Sequence, residues 1–487
     1  MAALTASEIR RIVFGLLLGI FLAAIDQTIV AVALLTIARD LGGFSLMAWV
    51  ASGYLVAATV ASPIYGKLGD IYGRRRLLSI AISICLFASL MCALAQTMEQ
   101  LLVFRLLQGL GGGGLLTLSQ AIIADVAPGT ERGRYQGYFS GVFATAAVAG
   151  PVLGGYLTHY LSWRAIFWLN LPIAIAAFLI SRRALARLPV VRRPRTIDYI
   201  GAALLASGLA ALLIALTRIG QGIAWTAQST LLLLGSSAAL LALCGWQETR
   251  AAEPIMPPSL YGNRTVVRCS MVLALSFFVL IGSSILLPLA MQAIGHVQAN
   301  GVAVRMIPLT LGIPLGAFTS GRMMVRDPHF RRYMLAGTAM ATLALLGIVF
   351  TPIESPLLLA LLMALLGFGI GMPMPPALVA TQMSVPASEV GVATATSAFF
   401  RSLGGAIGIA VLTSLLWTQL REGAPAGAPM QSLLTEGGRT PEVLQAAFQR
   451  VFAVAGMAAL LAFLVTLTLP NRPLKMKNFP EPTPKSG

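Results

Sequence analysis

Asp26 is the one acidic residue in an apolar run, residues 12–37, that is long enough to cross a lipid bilayer. An ionisable group in such a place is costly and marks a functional site by default. Arg105 stands near the start of a second run, residues 101–126, and Gln108 follows one turn later. The two runs enter from opposite surfaces. At 1.5 Å per residue, Asp26 lies about 21 Å from one surface and Arg105 about 6 Å below the other, so both fall in the same half of the membrane. A contact, direct or through water, is within reach. A nearby cation favours the charged carboxylate, and burial favours the neutral acid. A conformational change that alters either makes Asp26 take up and release a proton. The competing reading is a static buried ion pair holding two helices together. Gln108 either extends the polar network or is a helix-packing amide.

The elements that position these residues are membrane helices. Of 487 residues, 57% are hydrophobic and 10% charged, against about 25% charged in soluble domains. Mean hydropathy is +0.83. Apolar runs predict an all-α integral membrane protein of fourteen spans: 12–37, 48–64, 77–95, 101–126, 135–157, 165–180, 197–216, 230–246, 266–291, 302–324, 334–350, 357–383, 390–416 and 451–469. Of 34 Lys and Arg, 25 fall with both termini on one set of alternate loops, seven fall on the other set, and Arg105 and Arg401 lie within spans. Lys and Arg are retained inside, so both termini are predicted to be cytoplasmic. The net charge of +17 is spread over these short loops, which points away from nucleic acid. The first run is too long for a cleaved leader and is expected to be retained. Cys85, Cys92, Cys244 and Cys269 lack CxxC spacing and read as packing residues, with no disulfide framework or metal site.

Two six-helix bundles are expected at 1–190 and 251–487, with a basic linker and two inserted helices at 191–250 between them. The signal is a degraded repeat: Gly66 to Leu77 after the second span, and Gly321-Arg322 with Asp327, Arg331 and Arg332 after its counterpart. Internal repeats suit transporters that rock one bundle against the other. A long outside loop, 419–449, precedes the last span, and Thr440-Pro441-Glu442 predicts the start of a short surface helix within it. A cytoplasmic tail follows the last span.

Several further groups of residues bear on mechanism. Asp70 and Arg74 to Arg76 occupy a tight turn in which Gly66 and Gly73 allow close backbone approach, and Asp125 ends the fourth span on the same side. Topology signal and helix capping would also explain these charges. Gly109 to Gly114 formally contains GxGxxG, but it lies inside a span rather than between a strand and a helix, so it reads as close helix crossing. Gly150-Pro151 with Gly154-Gly155 predicts a kinked or loosened fifth helix, through either ordinary packing or a functional bend. Arg401 is a second intramembrane cation, with no acidic residue in any span of the later bundle. It would favour neutral or anionic substrates, whereas cationic ones would have to use Asp26. An adaptable binding wall is expected from Trp49, Tyr54, Phe139, Phe143 and Gln108 in the first half. In the second half its members would be Phe277, Phe278, Met291, Gln292, Phe399, Phe400 and Arg401. Core or lipid-facing positions are the alternative for each.

Taken together these motifs resemble the major facilitator superfamily in its fourteen-span, EmrB/QacA-type drug/proton antiporter branch, over nearly the whole chain. The residues that carry the resemblance are Ile25 to Val30, Gly66 to Leu78, Leu101, Arg105, Gln108, Gly109 and Gly111, Gly150 to Gly155, Trp163-Arg164, Asn170-Leu171-Pro172, and Arg401 to Gly405. Ala31, Leu35 and Ala146 depart from its usual pattern. The resemblance implies proton-driven export of amphipathic drugs or toxic compounds by alternating access. It implies proton coupling by Asp26 and Arg105, and a cytoplasmic latch involving Asp70, Arg74 and Asp125. It also implies a fifth-helix bend at Gly150, Pro151, Gly154 and Gly155 that limits proton leak.

The expectation is therefore a multi-pass transporter of the bacterial inner membrane, driven by the proton gradient without a cofactor. Its partners are the lipid bilayer, protons and an amphipathic small molecule. The sequence names no periplasmic adaptor for the outside loop. Export of a specific metabolite, siderophore or lipid is the alternative on the same fold, and a non-transporting receptor or scaffold is the alternative from another class. An enzyme is disfavoured, because His159, His296 and His329 are scattered and no nucleophile motif is present.

Overall fold

The computed structural model describes residues 6–43, 46–127, 132–185, 198–220, 222–251, 253–295, 297, 299–351, 355–421 and 440–471. The interior of the expected linker, most of the outside loop and the tail beyond 471 lie outside the described residues. In chain order the helices are α1 (Ala6–Leu41), α2 (Met47–Tyr72), α3 (Arg74–Ala93), α4 (Met98–Val126), α5 (Arg132–Tyr160) and α6 (Arg164–Ala184). Then come α7 (Tyr199–Gly220), α8 (Gln228–Glu248), the short α9 (Pro258–Gly262), α10 (Arg264–Ala293), α11 (Ala299–Arg305) and α12 (Ile307–Arg326). The series closes with α13 (Phe330–Phe350), α14 (Pro356–Gly371), α15 (Met374–Met383), α16 (Val390–Arg421) and α17 (Pro441–Leu467). The described residues contain no strand. Hydrocarbon cannot satisfy backbone polar groups, so apolar runs of this length close their hydrogen bonds within a helix.

Among the described residues, eleven helical segments are long and apolar enough to cross a membrane. The other three expected spans coincide with α2, α5 and α12, which fall outside that group of eleven. These three carry glycines and polar residues because they pack between the halves, α2 on α16 and α5 on α12, where small side chains let backbones approach. Within the first six helices, α1 packs on α5 and α6, and α4 lies between α2 and α3. In the later half, α10 packs on α16 and α17, while α14 packs on α12 and α13. Helices α7 and α8 pair with each other, and α7 lies against both α16 and α2.

One expectation changes. Residues 440–442 do not start a separate surface helix: Pro441 opens α17, which continues unbroken into the last apolar run. No breaker intervenes, and Leu444, Ala447, Phe448 and Val451 are buried in the core of the later half, so one helix covers both. Helix α5 is helical from Arg132 to Tyr160, through Gly150-Pro151, and two of its glycines serve close crossing. A Cβ on Gly150 would lie 2.0 Å from Thr28 Oγ1, and one on Gly154 2.6 Å from the Ile29 carbonyl of α1, whereas one on Gly155 would meet only Val32 at 4.0 Å.

The glycine run of α4 works in the same way. A Cβ on Gly109 would meet the Tyr54 carbonyl at 2.3 Å, on Gly112 the Tyr54 hydroxyl at 2.2 Å, and on Gly111 the Cys85 sulfur at 2.6 Å. Helix α4 is thereby drawn against α2 and α3 at once, which seats Arg105 and Gln108 opposite Asp26.

Candidate functional site

Asp26 on α1 is 2% exposed and Arg105 on α4 is 1% exposed. Arg105 Nη1 contacts Asp26 Oδ2 directly in a buried ion pair. The same Nη1 donates to Gln108 Oε1 at 2.8 Å, and Arg105 Nε donates to the Val50 carbonyl at 3.3 Å. The guanidinium sits 4.5 Å above the Tyr54 ring, whose hydroxyl donates to the Ala23 carbonyl at 3.3 Å. On the other carboxylate oxygen, Asp26 Oδ1 accepts from Gln108 Nε2 at 2.9 Å and from Asn170 Nδ2 of α6 at 2.6 Å. Gln108 Nε2 also donates to Ser89 Oγ of α3 at 2.8 Å. Helices α1, α2, α3, α4 and α6 thus converge on one carboxylate, whose charge is met by a guanidinium and two amides. A desolvated ion with donors on both oxygens is stable only while that geometry holds.

A second cluster lies at the basic end of the helices. Gly73, with φ of 90°, links α2 directly to α3 in a backbone conformation that favours glycine. Arg74 Nη2 pairs with Asp70 Oδ1 at 2.7 Å, and Arg74 Nη1 pairs with Asp125 Oδ1 at 2.6 Å. Asp70 Oδ2 then accepts from the Val392 backbone N–H at 3.1 Å, across to the other half. Beside it, Gly66 lets α2 lie on α16, since a Cβ there would be 2.8 Å from the Gly391 carbonyl and 2.5 Å from Ala395 Cβ. The repeat has a structural echo: Gly321 of α12 meets Gly133 of α5, where an added Cβ would stand 2.3 Å from the Gly133 carbonyl. The echo is incomplete, because Asp327 binds locally to Arg332 at 3.0 Å and contacts His329. Lys67 adds a tie to the segment after α8, donating to Glu253 at 2.8 Å.

The expected binding wall is scattered. Tyr54 is 1% exposed beneath Arg105, and Met291 is 1% exposed in the core of the later half. Phe399 is buried against Leu205, Leu209 and Cys244 of the α7–α8 pair. Phe139 is buried and stacks on half-buried Phe143 at 5.2 Å, while Phe278 packs against the later core and Phe400 lies edge-on to Phe399 at 5.3 Å. Trp49 is half-buried and Gln292 exposed. Arg401 stacks 5.1 Å over the Phe277 ring and has no ion-pair partner among the described residues. The cysteines are free and buried, and no metal-ligating cluster of His, Cys, Asp and Glu occurs among the described residues.

Sequence reasoning missed Asn170 and Ser89 as members of the Asp26 network. The available signal for Asn170 was an amide side chain within an apolar span, the same kind of signal that singled out Gln108. At the far end, Asp40 joins α1 to α6 by accepting from Trp163 Nε1 at 2.8 Å and Arg164 Nη1 at 2.9 Å. The Trp163 hydrogen bond and then the Arg164 guanidinium hold the Asp40 carboxyl below the usual range.

The model of the Major Facilitator Superfamily matches residues 16–409. An uncharacterized MFS-type transporter of Mycobacterium tuberculosis is 34% identical over 411 residues, covering 83% of this chain and 59% of its own length. The chain therefore spans about three-fifths of that relative. The multidrug transporter protein MdtP of Bacillus subtilis is 32% identical over 407 residues, covering 83% of this chain and 75% of its own. In fold, the chain is similar to the human organic anion transporter MFSD10, with a TM-score of 0.66 at 17% identity over 94% of this chain and 99% of that one.

Proposed function

The chain belongs to the major facilitator superfamily of multi-pass membrane transporters, and on that footing we propose that it is a proton-coupled antiporter exporting amphipathic drugs or toxic compounds. The observation that carries this reading is the buried Asp26, held by Arg105, Gln108 and Asn170. Burial and a removable cation are the two quantities that govern whether a carboxylate keeps its proton. In this reading Asp26 is the carrier and Arg105 tunes it. Opening of the outer side wets the site and lets Asp26 take a proton; return to the inward state restores the release of that proton. Asp70, Arg74 and Asp125, with Gly66 and Gly73, hold the cytoplasmic side shut. Gly150 and Gly154 keep α5 close to α1, and Gly150, Pro151, Gly154 and Gly155 form the bend that governs alternating access.

The remaining features complete the proposal. The protein belongs to the fourteen-span branch, with both termini cytoplasmic, and resides in a bacterial inner membrane. The helices before 190 and after 251 form the rocking bundles, and α7 and α8 are the inserted pair. The naming of relatives as multidrug or efflux transporters supports the export direction. Arg401, stacked on Phe277 and without a carboxylate partner among the described residues, favours a second reading, in which the substrate is a neutral or anionic metabolite.

The test is efflux in proteoliposomes or inverted vesicles under an imposed pH gradient, with cationic, neutral and anionic dyes, comparing wild type with Asp26→Asn. Gradient-driven transport lost in the variant is the expected result. Equal, fully proton-dependent transport in both would move the coupling away from Asp26.

A further inference from the structure

We infer that Asn170 is a two-state positioning residue for Asp26: its amide N–H serves the carboxylate, and its carbonyl, after the amide turns over, serves the carboxylic acid. This rests on the reading that Asp26 is the proton carrier.

In the structure every bond to Asp26 runs toward the carboxylate. Arg105, Gln108 and Asn170 all donate. When a proton from water forms an O–H bond on Asp26, that oxygen becomes a donor and needs an acceptor in a dry site. Gln108 is not available for this role. Its Oε1 already accepts from Arg105 at 2.8 Å and its Nε2 from the opposite end of the amide donates to Ser89 at 2.8 Å, so turning it over would break both. Asn170 is different. It is 0% exposed, its Nδ2 holds Asp26 Oδ1 at 2.6 Å, and its Oδ1 is buried with no hydrogen-bond partner among the described residues. Half a turn about χ2 exchanges the two ends at nearly constant shape, and no covalent bond of Asn170 changes. Each state leaves one end of the amide unpaired, so neither is strongly favoured over the other by this residue.

The other titratable groups around the site do not supply that acceptor. They are Arg105 on α4, a donor only; Tyr54 on α2, whose hydroxyl donates to the Ala23 carbonyl and accepts from the Gln27 side chain; and Cys85 and Cys92 on α3, which donate to the Gln108 carbonyl and side chain at 3.7 and 3.6 Å. Helix α5 meets α1 here through Gly150 and Gly154 and has no titratable residue between Tyr138 and Tyr156.

The experiment is pH-difference infrared spectroscopy of the full chain in lipid, with isotope-labelled asparagine. Asn170 is the only asparagine before Asn263, which limits overlap. The expected result is an asparagine side-chain carbonyl band that titrates together with the Asp26 carboxylic-acid band and is lost in both Asp26→Asn and Asn170→Ser. A structural amide would not titrate. In transport, Asn170→Leu should lower proton-driven efflux about tenfold and displace its pH profile, since the charged form loses a donor and the neutral form an acceptor. Asn170→Ser, whose hydroxyl can donate or accept, should recover most of it. A carboxylic-acid band from Asp26 with a silent asparagine carbonyl would overturn this inference and leave the antiport reading standing. Absence of any Asp26-dependent band would overturn both. The labelled wild type decides even if Asn170→Leu does not fold.

Discussion

The carboxylate of Asp70, at the end of α2, accepts a hydrogen bond of 3.1 Å from the backbone N–H of Val392, in the first turn of α16. The N-terminus of a helix is a natural place for an anion, and this one belongs to the opposite half of the molecule. Asp70→Asn keeps the shape and removes the charge. A hydrogen bond to a charged group contributes about 1.5–3 kcal/mol, so the population open at this end should rise about tenfold or more. A cysteine placed at Ala395, in a protein whose four native cysteines are buried, should react correspondingly faster with a reagent on that side. Unchanged labelling would show that closure does not depend on Asp70.

Arg105 meets Asp26, Gln108 and Val50 with one planar group. A lysine ammonium cannot span those three acceptors in the same geometry. Arg105→Lys is expected to retain folding and to lose proton-driven efflux about tenfold or more. Arg105→Ala leaves a buried charge unpaired, at a cost of about 3–5 kcal/mol, and should lower the melting temperature in detergent unless Asp26→Asn is added. A melting temperature equal to wild type in the single alanine variant would contradict the buried pair.

The glycines separate into tight and open positions. Gly109→Ala would force a Cβ to within 2.3 Å of the Tyr54 carbonyl, and overpacking of this kind costs about 1–3 kcal/mol. Gly235→Ala on α8 meets nothing within 4 Å and should stabilise the helix by about 0.5–1 kcal/mol. Thermal unfolding of the two variants should shift in opposite directions.

Asp40 provides a pH test at the other end. Its carboxyl is held below its ordinary value of 3.8 by Trp163 and then Arg164. The stabilisation is therefore present above that ordinary value and is lost as pH falls through the lower value of the folded state. The pair is half-exposed, so Asp40→Asn should cost no more than about 1 kcal/mol near neutral pH. The difference from wild type should vanish in acid well below pH 3.8. A gap that persists there would assign the effect to packing of Trp163 rather than to charge.

The long apolar helices were legible because length and hydropathy alone specify a segment that can span a bilayer. Helices α2, α5 and α12 were legible as helices, yet glycines and polar groups that serve contact between the halves lower their hydropathy. Asp26 and Arg105 could be paired from type and depth. Asn170 could not, since it lies 144 residues from Asp26 and nothing local shows which way a helix face turns. The same limit applies to Tyr54 and Phe399: an aromatic side chain signals an apolar neighbour but does not identify which helix supplies it. The separate surface helix expected at 440–442 reflects the first turns of α17, which are less apolar than its end.

The contacts of Gly66 with Gly391 and of Gly133 with Gly321 are backbone against backbone. Such surfaces have no rotamers to freeze and little greasy area to wet when they part, so their adhesion is weak for the area they cover. At these glycine contacts much of the specific grip thus resides in a few polar bonds around Asp70. In the proposed gating, a closed state held in that way would behave as a catch and not as a glued joint: it fits tightly, and releasing a handful of bonds frees it.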